Sequence, residues 1–333
     1  MSSSPVTPGH VLAEPSPPDP RGRVGTPRYA LAQPPSPPEG IGRVVTAMIT
    51  PFTAEGELDL DGAQQVADHL VESGTETILV NGTTGESPTL RGEEPWHLLR
   101  AVRDAVGDRA TLMVGTGTND TVKTVTSTRR ASEEGADAVL VVTPYYNRPD
   151  QRGLLKHFST AAEATELPVV LYDIPGRTGC AIAVDTLAEL AAIENIVGVK
   201  DATGDLGKAS DLAFATAGSP GGFVQWSGSD EMNLPLLAVG AVGVISVAAH
   251  LVGPEIAEMI RVFPTDPARA RELHLQCMPL HRALFRESSP APLKGALSAR
   301  WLPAGPVRPP LADATSETVS VLLAALEPIE ADR

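Results

Sequence analysis

Cysteine is nearly absent, with only Cys180 and Cys277 in 333 residues. Two residues so far apart cannot build a disulfide framework, so a reducing, cytoplasmic setting is the expectation. Aromatic residues are also sparse, at 4%, and lysine is scarcer still, with only Lys123, Lys156, Lys200, Lys208 and Lys294. Acids outnumber bases 41 to 26, for a formal net charge of -15, and no run of Lys or Arg interrupts that balance. Nucleic acid and an anionic membrane surface are thereby excluded as main partners. No apolar run approaches the roughly 20 residues that a membrane-spanning helix requires. The seven histidines (His10, His69, His97, His157, His250, His274 and His281) show no metal-ligand spacing, alone or with the cysteines, so no metal is expected. What remains is a 42% hydrophobic chain, long enough for one large or two modest domains with a real core, and a small-molecule enzyme is the class that fits.

Residues 1–40 hold 11 of the 31 prolines, mixed with Ser, Thr and Gly, and read as a disordered leader. They lack the basic start and apolar stretch of a secretory signal, and Glu14, Asp19 and Glu39 argue against an organelle transit peptide. From Gly40 the texture changes. Short β-branched runs begin near Val44, Thr77, Thr111, Ala138, Pro168, Ile196, Phe223 and Gly243, at intervals of 20 to 34 residues. Between them lie amphipathic patterns such as Ala63, Val66, Ala67, Leu70 and Val71, several closing on glycine, as at Gly74 and Gly135. Continuous apolar strands alternating with helices describe a parallel sheet covered on its outside, and eight units predict a closed (β/α)₈ barrel over 41–266. An open doubly wound sheet would carry a glycine-rich fingerprint after its first strand, where this chain has Pro51 and Phe52. From about Pro267 to the end the chain reads as wholly helical, a C-terminal appendage over 267–333.

In such barrels chemistry sits at the carboxyl ends of the strands. Lys200 terminates the apolar run Ile196–Val199, whereas the other four lysines fall in patterns where a solvated ammonium is inexpensive. A lysine at a dry barrel mouth loses the solvation that favours its charge, and the neutral amine can attack a carbonyl to form a Schiff base. A purely structural ion pair with Glu86 or Asp230 is the competing reading. Three of the four tyrosines, Tyr145, Tyr146 and Tyr172, fall at strand ends, where a phenol linked to a threonine hydroxyl can relay a proton. Each taken singly is more often an amphipathic plug. Gly82-Thr83-Thr84-Gly85 offers clustered backbone N–H groups and two hydroxyls in a loop leading into a helix, suited to a carboxylate, and Arg177 offers a planar fork for a second one. A tight turn and a solvated arginine are the ordinary readings of the same residues. His250, after the eighth strand, reads as packing or support.

Together these segments resemble the dihydrodipicolinate synthase (4-hydroxy-tetrahydrodipicolinate synthase) family of pyruvate-dependent class I aldolases. The likeness covers 41–333. It rests on GTTGES at 82–87, TPYYNRP at 143–149, LYDIPGRTG at 171–179, GVKDATGDL at 198–206, SGSDE at 227–231 and GVISVAAH at 243–250. It implies that Lys200 forms an imine with pyruvate and that Thr84, Tyr146 and Tyr172 relay protons, Tyr146 reaching into a neighbouring copy's site. It further implies that Thr83 and Thr84 hold the pyruvate carboxylate, that Arg177 binds L-aspartate 4-semialdehyde, and that Gly228 and Ile245 line the pyruvate pocket. The implied product is (4S)-4-hydroxy-2,3,4,5-tetrahydrodipicolinate, on the route to diaminopimelate and lysine. The implied assembly is a homotetramer, a dimer of dimers, with no metal or organic cofactor.

Two departures stand out. Asp173 occupies a position where many members have Asn, adding a possible charge beside Tyr172. Lysine-sensitive members carry two histidines and an acid where this chain has Gly92, Pro95 and Lys123, so weak or absent lysine inhibition is expected despite Asn119 and Tyr145. A sibling aldolase acting on another aldehyde, and a non-catalytic pyruvate-binding scaffold, are the alternative readings.

Overall fold

The computed structural model describes residues 36–219, 222–300 and 302–333. The reading of residues 1–35 as a leader lies outside them, and residues 36–40 end in a turn closed by Ile41 N donating to Pro38 O. Eight strands run β1 Val44–Ala47, β2 Thr77–Val80, β3 Thr111–Gly115, β4 Ala138–Val142, β5 Val169–Asp173, β6 Ile196–Asp201, β7 Val224–Ser227 and β8 Gly243–Ser246. All pair in parallel with their sequence neighbours, and β8 closes on β1, so the predicted (β/α)₈ barrel is what forms. Strands five and seven begin one residue later than the pattern predicts. At β5 the reason is Pro168, which has no N–H for the ladder and only accepts from Val139 N.

The continuous apolar character of the strands follows from burial on both faces. Val45, Leu79, Met113, Leu140, Val170, Trp226 and Ile245 fill the interior. Val44, Ile78, Val80, Leu112, Val139 and Leu171 face outward onto the helices. Those helices are α1 Leu60–Glu72, α2 Glu94–Val106, α3 Thr121–Glu133, α4 Gln151–Ala162, a single turn α5 Pro175–Thr178, α6 Val184–Leu190, α7 Leu206–Ala215, α8 Asn233–Ala238 and α9 Ala249–Val262. In α1 it is Ala63, Val66, Ala67 and Leu70 that are buried, and Gly74 just beyond its end takes φ +93°. Part of the acidic surplus serves the helix starts. Asp59, Asp120, Asp150 and Asp205 each accept a backbone N–H at the N-cap of α1, α3, α4 and α7, worth about 1 kcal/mol apiece.

Three further helices follow, α10 Pro267–Ala283, α11 Ala291–Arg300 and α12 Ser316–Ala331. The expectation of an entirely helical tail needs correction. Residues 302–315, before α12, are non-helical, because Pro303, Pro306, Pro309 and Pro310 remove donors a helix would need. This segment lies against the chain leaving β1: Phe52 N donates to Ala304 O at 3.3 Å, and a Cβ on Gly305 would sit 1.7 Å from Phe52 O. Gly305, at φ +67°, is therefore the only residue type that permits the approach. Lys294 also departs from expectation. Instead of being solvated, it is 2% exposed, because the 302–308 segment folds over it.

Among the described residues no helix is long and apolar enough to cross a membrane, and no group of three His, Cys, Asp or Glu side chains is placed to hold a metal.

Candidate active site

Lys200 and Tyr172 are register partners on β6 and β5, at the carboxyl end of the barrel. The Lys200 side chain is 5% exposed, and its Nζ lies 4.3 Å from the centre of the Tyr172 ring. Among the described residues its ammonium makes no ion pair or hydrogen bond. Burial lowers its pKa from the ordinary 10.5 to about 8, with nearby Asp230 opposing the shift and Arg177 adding to it.

The acids that could have neutralised Lys200 are engaged elsewhere. Asp230 Oδ1 accepts from Ser246 Oγ at 2.5 Å, and Oδ2 accepts from Val247 N at 3.0 Å and Ala248 N at 2.9 Å. Glu86 pairs with Lys294. The structural ion pair that competed for Lys200 in the sequence is thus absent.

Gly228 and Ile245 stand where the chain needs them. A Cβ on Gly228 would come within 2.9 Å of Lys200 Cγ and 3.0 Å of Asp201 O, so glycine is what lets the lysine side chain pass. Ile245 is buried in the barrel interior, opposite Val45 on β1.

Tyr172 is buried, which pushes its phenol up to about 12 against the opposing effects of Arg177 and Thr83. Successive side chains in a turn diverge: Thr83 lines the mouth cavity, whereas Thr84 is buried within the loop. The loop also does not lead directly into an α-helix. A single 3₁₀ turn at Ser87–Thr89 follows, and α2 begins only at Glu94.

Arg177 is exposed on α5 and makes no ion pair among the described residues. It shares a cavity of about 330 Å³ with Thr83, Ile174, Thr178 and Tyr145. Tyr146 is not brought into this chain's own site. It is 90% exposed at φ +72°, a backbone conformation that costs a non-glycine residue about 1–3 kcal/mol.

Asp173 does not face Tyr172 as a free charge. Its Oδ2 takes a short ion pair from Lys208 and accepts from Ile182 N at 3.2 Å. Burial raises its pKa, with Lys208 opposing. Lys208, like Lys294, is therefore a paired lysine that the sequence pattern presented as solvated.

His250 is fully buried as a support. Its Nδ1 lies 2.9 Å from Val247 O and its Nε2 accepts from Ile49 N at 3.2 Å, an arrangement that requires the neutral ring. Burial accordingly lowers its pKa to about 4.

The residues associated with lysine sensitivity are placed as follows. Pro95 and Tyr145 line the cavity beyond Thr83, Asn119 O accepts from Asn147 Nδ2, and Gly92 and Lys123 are exposed.

The sequence offered Glu86 only as a structural partner for Lys200, whereas its partner is Lys294. Glu86 sits in the left-handed region at φ +55°, one residue beyond the GTTG turn. Its carboxylate is buried against Lys294 Nζ at 2.9 Å and Arg308 N at 2.8 Å. Breaking such a buried pair from one side costs about 3–5 kcal/mol.

A parallel barrel with an unpaired, desolvated lysine beside a tyrosine at its carboxyl mouth defines a class of enzymes that act through a lysine amine. Within that class, the model of the Dihydrodipicolinate synthetase family matches residues 40–329, and the chain belongs to that family. It is 51% identical over 286 residues to a 4-hydroxy-tetrahydrodipicolinate synthase of Acidothermus cellulolyticus, covering 86% of this chain and 91% of that one. It is 49% identical over 287 residues to the Moorella thermoacetica protein of the same name, covering 86% and 97%. Among solved structures it is similar to a dihydrodipicolinate synthase of Bacillus anthracis, with TM-score 0.83, 42% identity and coverage of 86% and 98%. A Cyanidioschyzon merolae structure described with lysine bound gives TM-score 0.83 and 42% identity, covering 86% and 97%.

The lowered pKa of Lys200 has a direct kinetic consequence. The attacking form is the neutral amine, so kcat/KM for a carbonyl substrate should rise with pH up to about 8 and flatten above it. A pH-rate profile still climbing through pH 10 would show an ordinary, solvated lysine.

Proposed function

We propose that this chain condenses pyruvate with L-aspartate 4-semialdehyde to give (4S)-4-hydroxy-2,3,4,5-tetrahydrodipicolinate, in lysine and diaminopimelate biosynthesis. The observation that carries the reading is Lys200: buried, unpaired, and facing Tyr172. Its neutral Nζ attacks the pyruvate ketone, and the resulting carbinolamine loses water to give an imine. Tyr172, with Thr84 of the neighbouring turn, carries the protons that this addition and dehydration require. Tyr146 of a neighbouring copy extends the relay, which would account for its exposure here. Thr83 and Thr84 hold the pyruvate carboxylate through the turn, with Gly228 and Ile245 closing the pocket.

Loss of a methyl proton converts the imine to an enamine, whose carbon attacks the aldehyde. The amine of the second substrate then attacks the imine carbon and expels Lys200, closing the ring. One water is released overall, and the lysine is regenerated. No cofactor enters this sequence, because the imine itself withdraws the electrons that a cofactor would otherwise accept. The working form is a cytoplasmic homotetramer in which paired copies complete each other's relay.

Arg177 selects the aldehyde. Its guanidinium fits a short carboxylate bidentately, and losing such a charged hydrogen bond costs about 1.5–3 kcal/mol, or roughly ten- to a hundredfold. Arg177→Ala should therefore lower kcat/KM for L-aspartate 4-semialdehyde by about that factor, with KM for pyruvate nearly unchanged. Equal loss toward both substrates, or wild-type turnover only with an aldehyde lacking a carboxylate, would contradict the assignment.

Lysine feedback should be weak. Gly92 and Pro95 offer no imidazole, and the exposed ammonium of Lys123 repels a cationic effector. In a steady-state assay, low millimolar L-lysine should leave the rate essentially unchanged. Clear inhibition in that range would overturn this reading.

A further inference from the structure

We propose that Lys294 and Arg308, which belong to the C-terminal part of the chain, are positioning residues for pyruvate binding. Through Glu86 they hold the Gly82–Ser87 turn in the conformation that presents Thr83 to the mouth cavity. The inference rests on the functional reading above and concerns the same site.

All three protons of the Lys294 ammonium are spent. They go to Glu86 Oε1 at 2.9 Å, Thr50 O at 2.9 Å and Pro306 O at 2.6 Å. Three stretches of chain therefore meet at one buried cation: the start of the first βα connection, the turn after β2, and the segment after α11. The other Glu86 oxygen accepts from Arg308 N at 2.8 Å. The Arg308 side chain runs on to Glu94 at the start of α2, bonding both carboxylate oxygens at 2.6 Å, and to Thr89 O at 3.0 Å. Phe52 lies beneath both cations, its ring centre 4.3 Å from Lys294 Nζ and 4.1 Å from the Arg308 guanidinium carbon.

The turn thus clamped is the one that carries Thr83. Glu86 N donates to Thr83 O at 3.1 Å, and Thr50 Oγ1 donates to Gly85 O at 2.6 Å. Glu86 holds a left-handed φ that a non-glycine residue leaves when its restraints are removed. A residue serving stability alone could be buried anywhere in the fold. This network instead fixes a strained residue three positions from Thr83, whose side chain lines the mouth cavity. If the restraint is released, Glu86 relaxes and Thr83 loses its place, while Lys200, on another strand, keeps its own.

Lys294→Met in the full-length enzyme tests this. The variant should be folded, with the wild-type assembly state. Its KM for pyruvate should rise about tenfold or more, and its KM for L-aspartate 4-semialdehyde should change less than about twofold. Pyruvate should also raise the melting temperature of the wild type but not of the variant. Lys294→Arg, which keeps the charge, should recover most of the pyruvate affinity. Should Lys294→Met not fold, Glu86→Gln keeps the shape, removes the charge and is read by the same two measurements. A lowered melting temperature with unchanged KM for both substrates would mean the network is structural only, and would overturn the proposal. A wild type that shows neither turnover nor a pyruvate-dependent melting shift would instead remove the functional reading itself, and this one with it.

Discussion

The site depends on one unfavourable circumstance: an amine is held at the mouth of a barrel where nothing neutralises it. An ammonium in that position lacks both water and a counter-ion, so the equilibrium moves toward the neutral, nucleophilic form. The rest of the mouth is arranged to preserve that condition. Asp230, whose charge acts on Lys200, is engaged by Ser246 and two backbone N–H groups. Glu86 is occupied by Lys294, and Asp173 by Lys208. Gly228 leaves the space through which the lysine side chain passes. Each of these acids has a partner of its own, and among the described residues Lys200 at the mouth has none.

This division of charge gives the chain's few lysines distinct tasks. Lys294 and Lys208 stay paired and fasten the turn after β2 and the end of β5, while Lys200 stays unpaired and reactive. The acidic surplus is likewise not idle, since much of it caps helices or anchors these cations. Stability and reactivity are drawn from the same residue types, separated by whether a partner lies within reach.

Much of this could be read in the sequence, and the reason is burial. Strands covered on both sides must be continuously apolar, so their ends stand out, and a lysine closing Ile196–Val199 is conspicuous. Tyr172 and Arg177 were found by the same rule. Which of Thr83 and Thr84 lines the cavity was not legible, because adjacent residues in a turn differ only in direction, which composition does not encode. Lys294 was missed for another reason. Its burial depends on a proline-rich segment that returns from the far end of the chain, and helical spacing around residue 294 carries no trace of that return. Asp173 looked like an added charge because Lys208, 35 positions away, becomes its neighbour only once β5 and α7 are folded.

The central claim is that Lys200 attacks pyruvate as a free amine, and covalent capture tests it most directly. The enzyme would be treated with borohydride in the presence of pyruvate, then analysed by intact and peptide mass measurement. The account predicts one reduced pyruvate adduct per chain, located on Lys200 and absent from a Lys200→Ala variant. No adduct, or an adduct on another lysine, would contradict it.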